Sequence, residues 1–328
     1  MNDWNTEVTG RYELEVENLR KGRGAWILET DQGLKLLKEY KGSVKRLEFE
    51  EMVLAAVKDA GTLKVDQYMR NREGELLSTA GDGTRFIVKS WFSDRECDLK
   101  DTREILSAVR QIAVLHKLLR NVEAREEWNL KSMISPPLYE AMDKHNRELK
   151  KARAFIRGKR RKNEFELSVI ACFDQFLDQA KYARDGMEQV FLREGDALKE
   201  SYFICHGELN QHHILVGKTY VAVTEFNKMH LGLQVEDLYH FMRKVMEKHD
   251  WNLTLGNAML DSYERVLPMS GIERECLYYL FLYPEKYWKQ INFYYNTNKA
   301  WIPARNTEKI EGLKAQQENR ERFIRGII

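Results

Sequence analysis

The stretch that decides the fold begins Cys205-His206-Gly207-Glu208-Leu209-Asn210-Gln211-His212-His213-Ile214-Leu215-Val216. After a Gly-Lys turn it continues Val221-Ala222-Val223-Thr224-Glu225-Phe226-Asn227-Lys228. The two short apolar runs are typical of buried strands joined by a hairpin. A group of polar side chains lies at the border of each run. The stretch therefore predicts a hairpin with polar residues at both of its ends.

The order of these residues resembles a kinase catalytic loop: His-Gly-Asp, four residues, Asn, an apolar strand, a hairpin, and then Asp-Phe after an apolar residue. The opening His206-Gly207 is similar to the version in aminoglycoside phosphotransferases and choline kinases. With segments 235–239, 241–244 and 283–288, most of the chain resembles the CotS-type spore coat proteins of endospore-forming bacteria. This resemblance implies a two-lobed α+β protein-kinase-like fold, with an antiparallel small-lobe sheet and a mostly helical large lobe.

Three positions depart from the family pattern. Glu208 stands in place of the catalytic Asp, His213 in place of the Asn that holds magnesium, and Glu225 in place of the magnesium-binding Asp. The extra methylene of Glu208 would advance its carboxylate by roughly 1.5 Å, and a misplacement of about 1 Å can cost on the order of a hundredfold in rate. Glu225 could still bind magnesium, whereas imidazole is a poor ligand for this ion. Glu208 is thus the candidate catalytic residue, and Glu225 and His213 are the candidate metal ligands.

Length and composition predict a soluble, globular protein of one or two domains. The chain has 328 residues, of which 43% are hydrophobic and 32% charged, with a formal net charge of +2. No apolar run approaches the roughly 20 residues that span a bilayer, and the first residues lack the plan of a signal peptide. We therefore expect synthesis in the cytoplasm. The four cysteines lie far apart, which favours buried thiols over disulfides or a zinc site.

The first forty residues favour three strands joined by glycine turns, over 12–16, 25–30 and 34–40. In the kinase plan, the turn at 21–24 would lie over the nucleotide phosphates. Lys38 occupies the position of the third-strand lysine of that plan, with Lys35 as a rival on the same strand.

A helix is expected after Ser43, which is a suitable N-cap residue. The resemblance implies that Glu50 on this helix forms an ion pair with Lys38 and so orients the lysine toward phosphates, with Glu51 as the alternative partner.

Further short strands are expected over 65–69, 76–78 and 85–92. In the kinase plan the last of these ends in the interlobe hinge, formed by Lys89, Ser90, Trp91 and Phe92, whose backbone groups could bind adenine. The small lobe would then cover residues 1–92, and the large lobe 93–328, including the catalytic-loop-like segment 205–228.

The second part of the chain has helical periodicity. His116 is expected to be a structural core residue, Asp237 a structural brace of the loop, and the aromatic residues between Tyr278 and Trp301 mostly core. A strongly charged, surface-exposed helix is expected over 306–328. Residues 150–162 form a basic segment that is either a solvated helical face or a docking surface for acidic partners. The segment has no acidic residue and eight basic ones: Lys150, Lys151, Arg153, Arg157, Lys159, Arg160, Arg161 and Lys162.

Two functions remain open. The substitutions favour a catalytically impaired, pseudokinase-like coat component or scaffold, and the alternative is an active ATP-dependent phosphotransferase acting on a small hydroxyl substrate. The resemblance implies ATP and Mg²⁺ as cofactors, and the sequence leaves open whether either is retained. It also implies spore coat proteins as partners, and recruitment from the mother-cell cytoplasm to the coat. No membrane partner is expected, and stacking on nucleic acid is poorly supported because the basic segment has few aromatic residues.

Overall fold

The computed structural model describes residues 3–22, 24–61, 63–123, 130–296 and 304–328. The chain forms two compact units, of which the first contains Met1–Met133 and Ile204–His230. The second contains Ile134–Phe203 and Leu231–Ile328. The loop-like segment 205–228 therefore belongs entirely to the unit that contains the N-terminal sheet. The predicted lobe boundary after residue 92 stays a prediction.

An antiparallel sheet forms the core of the first unit. Its strands follow the order β1-β2-β3-β7-β5, and β6 pairs with β7. The register places Leu37 opposite Val88 and Lys38 opposite Ile87. The sheet strands are β1 (Val16–Lys21), β2 (Trp26–Thr30), β3 (Gly33–Glu39), β5 (Tyr68–Met69), β6 (Ser78–Thr79) and β7 (Arg85–Ser90).

The first predicted strand begins later than expected. Helix α1 (Asp3–Thr9) comes first, and β1 starts only at Val16. Tyr12 lies before the strand and is fully buried in an apolar cluster with Val8. Because Tyr12 lies in a bend after α1 rather than in a strand, the prediction over 12–16 is wrong for the residues before Val16. Arg23, in the predicted glycine turn, lies outside the described residues.

A second, smaller sheet contains the predicted hairpin. Its order is β4-β11-β10-β8, with β11 antiparallel to β10 and parallel to β4. Ile214 pairs with Val223 and Val216 with Val221, and the Gly217 N–H donates to the Tyr220 carbonyl at 2.9 Å. The hairpin is therefore confirmed. The strands are β4 (Lys64–Val65), β8 (Arg95–Glu96), β10 (Ile214–Val216) and β11 (Val221–Val223).

Two helices complete the first unit. The Ser43 hydroxyl accepts the Arg46 N–H at 3.2 Å and caps α2 (Val44–Asp59), as its sequence predicts. Asp101 caps α3 (Thr102–Arg120), where His116 is fully buried, as expected of a core residue. Short strands β9 (Phe203–Cys205) and β12 (His230–Gly232) fall where the chain passes between the units.

The second unit is helical, and aromatic residues fill its core. The rings of Phe176 and Tyr287 stack with centroids 4.3 Å apart. Asp237 is buried in the first turn of α8. Trp301 lies outside the described residues. The helices are α4 (Leu138–Gly158), α5 (Glu164–Ala171), α6 (Phe173–Glu194), α7 (Asp196–Glu200), α8 (Val235–Lys248), α9 (Leu253–Glu264), α10 (Gly271–Leu282), α11 (Glu285–Asn296), α12 (Ala304–Ala315) and α13 (Gln317–Arg325).

The predicted C-terminal helix over 306–328 is two helices, α12 and α13. Arg320 on α13 is buried, and its Nη2 donates to the carbonyls of Phe281 and Leu282 at 2.6 and 2.7 Å, at the end of α10. This arginine satisfies carbonyls that the end of α10 leaves unpaired, which explains a buried charge in a helix predicted to be exposed.

All four cysteines are buried and unpaired, as predicted. Burial raises the pKa of Cys172 to about 11 and that of Cys97 to about 12. Among the described residues, no helix combines the length and the apolar character that crossing a membrane requires.

Candidate active site

His206 connects the two sides of the candidate loop. Its side chain is fully buried, and Nε2 donates to the Thr224 carbonyl at 2.9 Å. Its Nδ1 accepts the Glu208 N–H at 3.3 Å. Because one ring nitrogen donates and the other accepts, the imidazole is neutral. His206 therefore has a structural role, since it fixes the start of the loop against the strand that precedes Glu225.

Gly207 allows the loop to approach the neighbouring segment closely. Its φ is +88°, and a Cβ at this position would lie 2.1 Å from the Lys228 carbonyl oxygen. Both the backbone conformation and the space exclude other residues. The His-Gly pair thus has a steric explanation that is independent of catalysis.

Glu208, the candidate catalytic residue, is exposed at the beginning of the loop. Its carbonyl accepts hydrogen bonds from Asn210 Nδ2 and His213 Nδ1, both at 2.8 Å. Its carboxylate makes no hydrogen bond or ion pair with any of the described residues. The loop therefore fixes the backbone of Glu208 and leaves its side chain available to solvent.

His213, the candidate metal ligand, is held in one tautomer. Its Nδ1 carries the proton, because the Glu208 carbonyl can only accept. Burial lowers the pKa of His213, against the opposing effect of the Glu208 backbone and the nearby carboxylates. The lowered pKa favours the neutral imidazole, in which Nε2 retains a lone pair. Such a nitrogen suits zinc or copper better than magnesium.

Glu225, the second candidate metal ligand, forms an ion pair with Lys38 on β3. These side chains are 21% and 26% exposed, so both charges are partly removed from water. Glu225 has a φ of +69°, and its N–H donates to Asp66 Oδ2 at 3.2 Å. The structure brings together two predicted site residues that are 187 positions apart in the sequence.

The ion pair expected between Lys38 and Glu50 is not formed among the described residues. Arg46 Nε lies 2.6 Å from Glu50, and the Tyr68 hydroxyl donates to the other carboxylate oxygen at 2.5 Å. Arg46 stands one helical turn before Glu50, where an oppositely charged neighbour competes well. It also donates to the Met229 carbonyl.

The alternatives proposed for this pair do not form it either. Glu51 accepts a bidentate contact from Arg70, and Lys35 Nζ donates to the Gln32 carbonyl at 2.7 Å. The prediction that a glutamate of α2 orients the strand lysine is therefore wrong for this structure, because nearer partners satisfy each group.

Lys89, one of the predicted hinge residues, has a buried side chain in the first unit. Its ammonium lies 2.6 Å from Asp66 Oδ2, with the two side chains 5% and 0% exposed. It also lies 4.3 Å from the centroid of the Tyr68 ring. Burial raises the pKa of Asp66, and Lys89 opposes that effect. The sequence did not identify Asp66 as a site residue, because only its buried partner Lys89 distinguishes it from an ordinary loop aspartate.

The other predicted hinge residues are partly committed to the sheet. The N–H groups of Ser90 and Trp91 donate to the carbonyls of Gln67 and Leu34 at 2.8 and 2.9 Å. Adenine recognition by these two N–H groups would require the sheet to open. The Phe92 ring lies 6.2 Å from that of Tyr220. Binding of adenine at 89–92 stays a prediction.

The residues present do not fit a magnesium site. In the part of the chain that the structure describes, no three His, Cys, Asp or Glu side chains gather in a metal-binding arrangement. His212 bonds to Glu96 at 2.6 Å rather than joining His213. Glu225 is engaged by Lys38, and magnesium prefers a near-octahedral set of oxygen ligands.

The comparisons with known proteins agree with the fold expected from the loop. A family described as "Spore coat putative kinase YutH" matches residues 5–327. Among curated protein sequences, no significant match is found.

Several solved structures share the fold. An aminoglycoside phosphotransferase from Alicyclobacillus acidocaldarius has a TM-score of 0.85 at 15% identity, covering 98% of this chain and 94% of that one. A spectinomycin phosphotransferase, solved with ADP and spectinomycin, has a TM-score of 0.63 at 12% identity, with coverages of 95% and 92%. A microcompartment-associated aminopropanol kinase has a TM-score of 0.61 at 12% identity, with coverages of 98% and 97%.

These likenesses confirm the predicted α+β kinase-like fold, and identities this low show the fold alone. The family match covers nearly the whole chain, which confirms the predicted resemblance to spore coat proteins with a phosphotransferase-like fold. This chain belongs to the spore coat putative kinase family.

Proposed function

We propose that this chain is a kinase-like component or scaffold of the spore coat in which magnesium-dependent phosphoryl transfer is lost or strongly impaired. One observation carries the proposal. The ammonium of Lys38 and the carboxylate of Glu225, which the kinase plan assigns to phosphates and to magnesium, neutralise each other. A phosphate or a metal ion would have to displace an existing, partly desolvated partner.

The other two substitutions act in the same direction. His213 offers a neutral nitrogen where the plan needs an oxygen, and burial disfavours its charged form. Glu208 keeps a carboxylate, but on a side chain one methylene longer than the aspartate of the plan. Positioning dominates catalysis in phosphoryl transfer, so changes at all three positions combine to reduce the rate.

A second candidate function has one observation in its favour. The Glu208 carboxylate is exposed and unpaired within the described residues, as a group that receives a proton from an acceptor hydroxyl should be. An active ATP-dependent phosphotransferase would use Glu208 for this purpose, Lys38 with Glu50 for phosphates, and Glu225 for the metal. That arrangement requires Glu50 to leave Arg46 and Tyr68.

The Glu208→Gln variant distinguishes the two functions. It removes the carboxylate's proton-accepting ability and leaves its size and exposure unchanged. The scaffold predicts no ATP-dependent phosphorylation of hydroxyl substrates by the wild type, and unchanged coat assembly by the variant. Hydroxyl phosphorylation that the wild type performs and Glu208→Gln reduces by more than about tenfold would refute the scaffold. Lys38→Met is the matched control, since a true phosphotransferase should lose turnover there as well.

Coat association is the second part of the proposal, and it is supported by the family rather than by the site. We propose synthesis in the mother-cell cytoplasm and recruitment to the coat through coat proteins. A fluorescent fusion should form a shell around the forespore during sporulation. Signal that stays diffuse in the mother cell, with the fusion intact and folded, would contradict this part without affecting the proposal about catalysis.

A further inference from the structure

A groove of about 330 Å³ lies between helices α4 and α11 of the second unit. Its apolar lining is aromatic and aliphatic, and includes Phe155, Trp288, Ile291 and Tyr295. Phe155 is 55% exposed, an unusual position for a large apolar side chain. The volume suits one large side chain of a partner rather than a whole helix.

One polar atom in the groove has no partner. The Tyr295 hydroxyl is buried and makes no hydrogen bond with the described residues. Its ring meets that of Phe155 edge-on, with centroids 5.3 Å apart. A buried hydroxyl without a partner costs about 1–3 kcal/mol. Because this oxygen is closed off from solvent, a ligand in the groove would meet the Tyr295 ring rather than its hydroxyl.

The part of the groove around Trp288, on the same helix as Tyr295, is already organised. The Trp288 indole N–H donates to Glu148 at 2.7 Å, and its ring stacks on His145 with centroids 3.4 Å apart. These contacts hold the indole in one orientation. A side chain that enters the groove would therefore meet a rigid aromatic surface, which reduces the entropy lost on binding.

The groove lining contains one cation, Lys151, and one carboxylate, Glu148, and further cations lie in the basic segment 150–162. Within the basic segment, Arg153 pairs with Asp174, and Lys159 with Glu166 at 2.5 Å. The remaining exposed cations have no ion-pair partner among the described residues, and Lys151 lines the groove itself. These cations are Lys150, Lys151, Arg157, Arg160 and Arg161. Such a surface attracts acidic segments.

We propose that this groove binds an acidic peptide segment of a partner protein, which inserts one aromatic or aliphatic side chain beside Phe155 and Trp288. The peptide's flanking acids face Lys151 and the neighbouring cations. This inference deepens the proposed coat role by naming the chemistry of the partner. Because it concerns the second unit alone, its failure and a failure of the proposal about catalysis are distinguishable.

The test is fluorescence anisotropy with the full-length protein. The probe is a labelled peptide of about twelve residues, rich in glutamate with one central phenylalanine. Two control peptides replace either the glutamates by glutamine or the phenylalanine by serine. The protein variants are Phe155→Ala, Tyr295→Phe and Lys151→Glu. Lys199→Glu is the matched control for charge, since this lysine is 73% exposed on α7 of the same unit.

The wild type should bind the acidic phenylalanine peptide about tenfold more tightly than either control peptide. Phe155→Ala and Lys151→Glu should each weaken binding by about tenfold. Tyr295→Phe should leave binding unchanged, because the hydroxyl is not accessible from the groove. Lys199→Glu should leave it unchanged.

Three results would overturn the inference. Equal binding of the serine peptide would show a surface that attracts any polyanion. Equal binding of the glutamine peptide would show an apolar site without charge selection. Absence of binding up to about 1 mM, or self-association that Phe155→Ala abolishes, would show that no acidic peptide occupies the groove.

Discussion

The buried ion pair between Lys89 and Asp66 provides the sharpest test of how the first unit is held together. The pair is almost inaccessible to solvent, and Asp66 also accepts the N–H of Glu225. Lys89→Met removes the positive partner and keeps a side chain of similar length. It leaves the Asp66 carboxylate buried without its counter-ion.

The expected loss follows from the burial. Removing one partner of a buried pair typically costs about 3–5 kcal/mol, because the remaining charge stays desolvated. In a domain of 150–250 residues, about 2–4 °C of melting temperature corresponds to each kcal/mol, so we expect a decrease of roughly 6–20 °C. The double variant Lys89→Met/Asp66→Asn removes both charges and keeps an acceptor for Glu225. It should recover most of the loss.

The pH dependence gives a second check with a defined sign. Burial raises the pKa of Asp66, and loss of Lys89 removes the charge that opposes this rise. In the folded variant the Asp66 carboxyl would then keep its proton at a pH where the same group in the unfolded chain, with an ordinary pKa of about 3.9, has released it. Stability should therefore fall as pH rises from about 4 toward 7.

Urea unfolding of the single variant, the double variant and the wild type, at pH 5 and pH 7, measures both effects. A loss below about 1 kcal/mol for Lys89→Met would refute the reasoning, since it would place the pair in contact with water. A double variant as unstable as the single one would refute it too, because the cost would then not come from an isolated charge.

Three further changes have defined outcomes. Gly207→Ala should cost about 1–3 kcal/mol more unfolding free energy than Gly83→Ala. Both glycines have φ near +85°, but of the two only Gly207 has a backbone oxygen, that of Lys228, where the new Cβ would lie. Equal losses in urea unfolding would contradict this. Arg320→Met should lower the unfolding free energy by about 3 kcal/mol or more, because Arg320 caps the end of α10. The exposed control Arg322→Met should lower it by less than about 0.5 kcal/mol. Comparable losses in the two variants would refute the capping role. The wild type should lose up to about 1.4 kcal/mol of stability per pH unit below pH 6.5, because the unfolded histidine binds a proton there and the partly buried one resists it. His213→Asn should remove this loss. Stability profiles of the wild type and the variant that run parallel with pH would refute the prediction.

The sequence predicted those features that are determined locally. Strands β2, β3 and β7, the cap of α2 at Ser43 and the hairpin of β10 and β11 follow from glycine turns, alternation and capping chemistry. His116 was correctly predicted as buried. The positions of β1 and α13 were not predicted correctly, because packing of Tyr12 and Arg320 overrides the polar pattern around them.

Partner choice within the candidate site could not be predicted in the same way. The sequence placed Lys38 beside Glu50, yet Arg46 lies closer to Glu50 along the helix and Lys38 bonds to Glu225. Which of several possible charges meet depends on tertiary distances of a few ångströms. Local spacing alone does not determine those distances.

The most direct test of the central claim is thermal unfolding with increasing ATP, with and without Mg²⁺. The matched variant is Glu208→Asp/His213→Asn/Glu225→Asp, which restores the residues of the kinase plan. We predict that Mg²⁺ adds nothing to any stabilisation of the wild type by ATP, and that the variant gains a magnesium-dependent increase. The account would be contradicted if ATP with Mg²⁺, at a hundred times its Kd, stabilised the wild type by about 2.7 kcal/mol and ATP alone did not.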